Sequence, residues 1–247
     1  MGKRTFKVWR GNKEGGDFKT FEPNVEEGMV VLDVLHRIQA VDANDLAIRW
    51  NCKAGKCGSC SMEINGKPKL SCMTRMNSFG PDETITVQPL KTFPIVRDLV
   101  TDVSWNYEVN QKIAPFSPKP NAEWKWQQED IDRAQEFRKC IECFLCQNVC
   151  HVLRTHELKH QFAGPRFLVR IAGLEMHPID GADRLEHLKD EAGIGLCNIT
   201  KCCSEVCPES IHITDNAIIP LKERVVDRYY DPVAMIWRAI TGKNGKK

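Results

Sequence analysis

The 247-residue chain has a formal net charge of +2, 42% hydrophobic residues and 28% charged residues. Those proportions belong to a globular protein of one large or two ordinary domains. The near-neutral balance leaves no strong field for nucleic acid or anionic lipid, and the best apolar stretches, Phe167–Leu174 and Val233–Ile240, are too short and too charged (Arg170, Arg238) to span a membrane.

The start, Met1–Thr5, has no apolar core of a secretory signal and leads into strand-like sequence. Thr5–Arg10 alternates as a strand, with Lys19–Glu22 as its candidate partner. Val31, Leu32, Leu35, Ile38 and Val41 recur at helical spacing, predicting an amphipathic helix over roughly residues 30–42. Leu46–Trp50 is predicted as a short strand entering a cysteine loop. Ser61–Ile64 and Lys69–Cys72 flank Asn65-Gly66, the preferred pair for a tight hairpin. Ile85–Pro89 is predicted as a last strand, and Val96–Lys112 has helical periodicity. Three prolines in Pro115–Pro120 forbid regular structure and predict an extended connector. Gln128–Arg138, Pro165–Leu174 and Ala182–Ala192 are predicted as helices, the last stopped by Gly193 and Gly195. Asp215–Tyr229 is a further helix with Pro220 near its first turn. Gly242–Lys247 is basic and expected to be a solvated tail. The fold expected is α+β: a β-grasp plant-type ferredoxin domain over 1–110, then a mostly helical bacterial-ferredoxin-like domain over 111–247.

Twelve cysteines fall into three groups. The first, Cys52-x4-Cys57-x2-Cys60 with Cys72 beyond the hairpin, has plant-type spacing. The second, Cys140-x2-Cys143-x2-Cys146-x3-Cys150, and the third, Cys197-x2-Thr200-x2-Cys203-x3-Cys207-Pro208, are two copies of the bacterial spacing, 57 positions apart. A disulfide framework needs an oxidising compartment that no targeting signal supports. Zinc would want sets of four ligands in Cys-x2-Cys pairs; three cysteines at i, i+3 and i+6 with a fourth at i+10, done twice, point to iron–sulfur clusters. Cys52, Cys57, Cys60 and Cys72 are the candidate ligands of a [2Fe–2S] cluster, with Gly55 and Gly58 letting backbone amides approach the sulfurs. In two-cluster ferredoxins the fourth Cys of each run ligates the other cluster. That assigns Cys140, Cys143, Cys146 and Cys207 to a [4Fe–4S] cluster and leaves Cys150, Cys197 and Cys203, with Thr200 where a fourth thiol would stand, to a [3Fe–4S] cluster. Iron is thus bound through eleven of the twelve cysteines. Cys202 is expected to be a small packed residue pointing away from its neighbour Cys203; its completing a four-iron cluster in place of Thr200 is the alternative.

Lys53, Lys56, Arg138, Lys139 and Lys201 lie near these cysteines in sequence and would ease thiolate formation, although each is individually explained as solvated surface. His156 and His160 are spaced to share a helix face, as an exposed pair rather than a metal site. No catalytic nucleophile, phosphate loop or dinucleotide fingerprint is present, so no catalytic residue is expected on this chain; its chemistry would be one-electron relay.

The order of a plant-type loop, then Cys-x2-Cys-x2-Cys-x3-Cys, then Cys-x5-Cys-x3-Cys-Pro, resembles the iron–sulfur subunit of succinate dehydrogenase and fumarate reductase over nearly the whole chain. The segment Cys52–Cys60 is close to the family signature. The resemblance implies electrons passing from a flavoprotein subunit with covalent FAD through [2Fe–2S], [4Fe–4S] and [3Fe–4S] to quinone in a membrane anchor. Succinate would be oxidised to fumarate on the flavoprotein. It also implies a peripheral location on the cytoplasmic face of a bacterial membrane, through partner subunits. His151 follows Cys150 where the bacterial motif has Pro, and His151–His156 lacks the Trp that lines the quinone site in many ubiquinone-using members. Those departures resemble menaquinone-linked members with a haem-bearing anchor. Two alternatives stand beside this: the iron–sulfur subunit of a glycolate- or lactate-oxidising flavoprotein complex, which usually lacks the first domain, and a free-standing multi-cluster ferredoxin, which tends to be small and acidic.

Overall fold

The computed structural model describes residues 2–241, so the basic run Gly242–Lys247 lies outside the described residues. In chain order the first elements are β1 (Phe6–Asn12), β2 (Gly15–Phe21), α1 (Val31–Val41), β3 (Ser61–Ile64), β4 (Lys67–Leu70), β5 (Ile85–Gln88), β6 (Ile95–Arg97) and β7 (Val100–Thr101). Helices follow: α2 (Ser104–Gln111), α3 (Gln128–Arg138), α4 (Leu145–Val149), α5 (His151–Arg154), α6 (Pro165–Glu175), α7 (Leu185–Asp190), α8 (Cys202–Glu205), α9 (Ile219–Tyr229) and α10 (Pro232–Thr241). The architecture is α+β. Two compact units divide the chain. One holds the residues up to Ser104 together with Ile141–Val149, and the other holds Trp105–Cys140 and the chain from Cys150 onward.

The first unit is a mixed sheet in the order β4-β3-β5-β1-β6-β7, with β2 also paired to β1. β1 runs antiparallel to β2 and parallel to β5. Of the period-3.6 stripe predicted for α1, Val31, Leu32, Leu35 and Ile38 are buried and Val34 joins them, whereas Val41 in the last turn is exposed; all the buried ones but Leu32 fall in one core cluster with Phe6, Val8, Ile64, Ile85 and Val87. Each such side chain contributes on the order of 2 kcal/mol of apolar burial. The Asp33 carboxylate accepts the Val30 N–H at 3.1 Å and fixes the helix start. Asn65 and Gly66 both take positive φ, 46° and 74°, as a two-residue hairpin with the right-handed strand twist requires.

Two sequence expectations fail here for one reason. Leu46–Trp50 forms no strand, and Val96–Thr101 is the β6–β7 hairpin rather than the start of a helix, which begins only at Ser104. Asp98 explains both. It sits at φ 48° with its side chain buried, and its carboxylate accepts the amides of Gly11 at 3.0 Å and Ala47 at 2.9 Å and the Arg10 guanidinium at 3.0 Å. The carboxylate thus takes the donor that would have gone to a neighbouring strand, and the turn at Asp98 interrupts the helical pattern.

The second unit is mostly helical. Gln128–Arg138 and Pro165–Glu175 match their predicted helices closely, with Pro165 at a position where its missing N–H costs nothing. The predicted helix over Ala182–Ala192 shortens to α7. The Asp180 and Asp183 carboxylates take the amides of Ala182 and Leu185, at 2.9 and 3.1 Å, before helix can form. Before α9, Ile213–Ile218 make a wide π-helical turn. The proline connector is extended as expected. Its carbonyls at Ala114 and Pro115 accept the Arg184 guanidinium, at 2.8 and 2.7 Å. Arg184 is buried and also meets Asp180 at 2.9 Å and Glu175 at 3.4 Å, so its charge and donors are matched inside the protein. α5 ends at Arg154, so His156 and His160 do not share the helix face predicted for them.

Within the first unit the Asn148 side chain ties α4 to β3 and to the segment before β6. Buried Asn148 donates to Glu63 Oε1 at 2.8 Å and accepts the Thr92 N–H at 3.1 Å. Asn148→Ala would remove both of these hydrogen bonds from a buried setting. The expected result is a melting temperature of the intact protein lower by roughly 5 °C or more; an unchanged melting curve would show that this bracing is dispensable.

Candidate functional site

The first cysteine loop is built by the sheet and α1 together. β3 and β4 pair Ser61 with Leu70, so the next residues outward are Cys60 and Ser71, and the Cys72 thiol comes within hydrogen-bond reach of Cys60. Ser71 tightens this: its N–H and hydroxyl both donate to the Cys60 carbonyl at 3.1 Å. The first amides of α1, on Val31 and Leu32, donate to the carbonyls of Thr74 and Ser71, on either side of Cys72. Lys53, Gly55 and Gly58 take positive φ, at 57°, 68° and 67°. These reversals turn amides inward: Ala54 and Lys56 N–H reach Cys52 Sγ at 3.3 Å, and Cys52 N–H reaches Cys57 Sγ at 3.5 Å.

The thiols differ sharply. Burial raises Cys57, but hydrogen bonds from the Ser59 side chain and from the Cys52 and Ser59 amides outweigh it and bring it down to about 7. Burial, with the hydrogen bond and charge of Cys60, pushes Cys72 up to about 12. A metal centre that binds both would hold both as thiolates. The amides aimed at sulfur and the mutual contacts of Cys52 with Cys57 and of Cys60 with Cys72 fit a thiolate-bound binuclear iron cluster. Among the described residues no three His, Cys, Asp or Glu converge closely enough for a single metal ion.

The second and third loops repeat one backbone form. Glu142 and Phe144 take positive φ, 56° and 60°; so do Ile199 and Lys201, 60° and 63°. When Cys140 is aligned with Cys197, these pairs fall on equivalent positions, and Thr200 falls on Cys143. Four non-glycine residues in a sparsely allowed region, two per loop at matching places, mark a backbone shaped for a ligand. Cys143 and Cys146 belong to the first unit and Cys140 and Cys207 to the second. The Ile211 N–H reaches Cys207 Sγ at 3.4 Å.

Within the second unit Cys150, Cys197 and Cys203 line one cavity, along with Thr200 and Cys202. Burial pushes the Cys150 thiol up to about 11 against the amides of Leu153 and Val152, with the charges of Cys202 and Cys197 adding to it. Burial also raises Cys203, opposed by a hydrogen bond with Thr214. These three cysteines around one cavity, with a hydroxyl at the fourth position, fit a cluster of three irons. Cys202 does not point away, as its place in sequence suggested. Its Sγ is 3.4 Å from Thr200 Oγ1, at the cavity wall. His151 closes the same rim, with Nε2 3.0 Å from Asn198 Nδ2 and 3.3 Å from Thr200 Oγ1. Of the basic residues near the loops, Lys53 lies over the Trp50 ring at 4.7 Å and Lys201 pairs with Asp215 at 2.7 Å.

One contact had only a faint sequence signal. The hydroxyl of Ser61, next to Cys60, lies 2.8 Å from both the Cys143 and the Gly58 carbonyl oxygens and has its single proton to share between them. A Cβ on Gly58 would stand 2.6 Å from Cys143 Cα. The first and second cysteine loops therefore meet backbone to backbone.

A profile for a 2Fe-2S iron-sulfur cluster binding domain matches residues 5–108, and one for a 4Fe-4S dicluster domain matches residues 136–211. The fumarate reductase iron-sulfur subunit of Mycobacterium tuberculosis is 31% identical over 78% of this chain and 80% of its own length. The succinate dehydrogenase iron-sulfur subunit of Bacillus subtilis is 31% identical over 68% of each. A chain of the Mycobacterium smegmatis Sdh1 complex in the apo form superposes with a TM-score of 0.91 at 61% identity, covering 94% of this chain and 99% of that one. The chain spans only 45% and 42% of the length of two archaeal relatives.

Gly58→Ala tests the loop contact. The added methyl meets both a positive φ and the Cys143 backbone, so it should destabilise the protein by more than about 1 kcal/mol, while Ser61→Ala should cost about 1 kcal/mol. Thermal melting of the cluster-loaded protein is the measurement; equal melting of Gly58→Ala and wild type would contradict the close approach.

Proposed function

Because the chain belongs to the iron–sulfur subunits of succinate dehydrogenase and fumarate reductase, we propose which residues carry its electron transfer. Cys52, Cys57, Cys60 and Cys72 hold a [2Fe–2S] cluster. Cys140, Cys143, Cys146 and Cys207 hold a [4Fe–4S] cluster, and Cys150, Cys197 and Cys203 hold a [3Fe–4S] cluster. The clusters supply stepwise one-electron transfer between a two-electron flavin and a quinone. The protein's part is to fix the thiolates, aim amides at sulfur and keep the second and third sites away from water. The observation that carries the assignment is the cavity shared by Cys150, Cys197 and Cys203, with Thr200 at the position Cys143 occupies in the other copy.

On this reading the N-terminal unit is a β-grasp ferredoxin domain and takes electrons from an FAD-bearing flavoprotein, where succinate and fumarate interconvert. The third loop delivers them to quinone in a membrane anchor, with menaquinone and a haem-bearing anchor favoured by the lack of a Trp in His151–His156. Among the described residues no helix is long and apolar enough to cross a membrane; attachment at the cytoplasmic face runs through the partners. The match of residues 5–108 to a 2Fe-2S domain weighs against a glycolate- or lactate-oxidising complex.

Cys203→Ser is expected to abolish the trinuclear EPR signal and leave the binuclear one intact. Loss of both signals from a variant that still folds would overturn the ligand assignment. In the purified complex, covalent flavin on a co-purifying chain and a pyridine haemochrome assay test the partners; absence of the flavin would refute the donor.

A further inference from the structure

We propose that Cys202 is a fourth thiol ligand held in reserve at the three-iron site, so that this site takes up a fourth iron under reducing, iron-replete conditions. The inference rests on the assignment of Cys150, Cys197 and Cys203 to a [3Fe–4S] cluster and goes beyond it.

Three observations point the same way. Thr200 occupies the position that Cys143 fills in the other copy of the motif, so its hydroxyl marks the corner where a fourth ligand would stand. Cys202 Sγ lies 3.4 Å from that hydroxyl, within the small movement that a threonine side-chain rotation and a cysteine rotamer change supply. Lys201, at φ 63°, reverses the chain between the two residues, which is how a sulfur two positions out of register comes back to the same corner. Cys202 also lines the cavity that Cys150, Cys197 and Cys203 line. It is half-buried, whereas Cys203 beside it is buried. The site therefore holds four thiols around one cavity, and only the sequence register of the fourth is irregular.

The exchange balances. The electron delivered by the relay reduces the core to [3Fe–4S]0. Addition of one ferrous ion then gives [4Fe–4S]2+ without further electron change. The Cys202 thiol gives its proton to water as its sulfur binds the added iron. In the reverse direction an oxidant such as dioxygen removes one electron, a ferrous ion leaves, and [3Fe–4S]+ remains with Cys202 reprotonated.

The test uses the complex purified in air, then incubated anaerobically with dithionite and ferrous ion, desalted, and reoxidised only as far as the [4Fe–4S]2+ state allows. The readouts are the trinuclear EPR spin count and iron per chain, normalised to the binuclear signal of a dithionite-reduced aliquot of the same sample. In wild type the trinuclear signal should be largely lost and iron should rise by one per chain. Cys202→Ser and Cys202→Ala should keep the full signal, and Thr200→Cys should lose it as a positive control. A wild-type signal that persists while Thr200→Cys loses its own overturns the inference and leaves the ligand assignment standing. Equal loss in wild type and both Cys202 variants also overturns it, since another group would then hold the fourth iron. A wild-type complex with no trinuclear signal at the outset overturns the ligand assignment and the inference together.

Discussion

Several thiolates brought to one point repel one another, and the chain must supply compensation before iron can. It does so with backbone amides turned inward by residues at positive φ. In the first loop Gly55 and Gly58 share this work with Lys53, and the amides of Ala54 and Lys56 reach Cys52. In the other two loops no glycine is used. Glu142, Phe144, Ile199 and Lys201 accept the unfavourable conformation, at a cost on the order of 1 kcal/mol each. Such strain persists only where the surroundings over-determine it, and the rest of the fold is arranged to do that.

The bracing is polar and buried, and each piece ends near a loop. Ser71 ties Cys60 to the segment of Cys72, and the first turn of α1 holds the carbonyls on either side. Asn148, two residues beyond Cys146, is fixed by Glu63 and Thr92. In the second unit Glu136 of α3 accepts the amide of His212 at 2.8 Å, just past Cys207, with the side chain of Asn216 as a further donor. Hydrogen-bonded networks of this kind specify one arrangement more sharply than apolar packing does. That suits a protein whose task is to hold a few sulfurs still.

What the sequence revealed was local. The stripe of α1, the Asn65-Gly66 turn, the proline connector and the helices at Gln128 and Pro165 all depend on residues within a turn or two. The cysteine spacings named the ligand candidates, because short loops around a cluster leave a rigid signature. What it hid was long-range. Asp98 suppresses a strand at Leu46–Trp50 by accepting the Ala47 amide from 51 residues away. The π-helical turn before α9 has no simple pattern. Cys202 turns back to the cavity because Lys201 adopts a conformation that nothing in its side chain demands. The contact of Gly58 with Cys143 joins positions more than eighty residues apart, and Ser61 could have hinted at it only by standing next to a candidate ligand.

The membership of Ile141–Val149 in the first unit has a consequence for biosynthesis. A ribosome makes Glu63 and Thr92 well before it makes Asn148, so their hydrogen bonds with that side chain form only after residues 105–140 have been added. The contacts of this later stretch with the N-terminal half, Cys143 against Gly58 among them, therefore form only once the chain has been made that far. A nascent chain interrupted between residues 104 and 141 lacks every contact that Ile141–Val149 brings to the first unit.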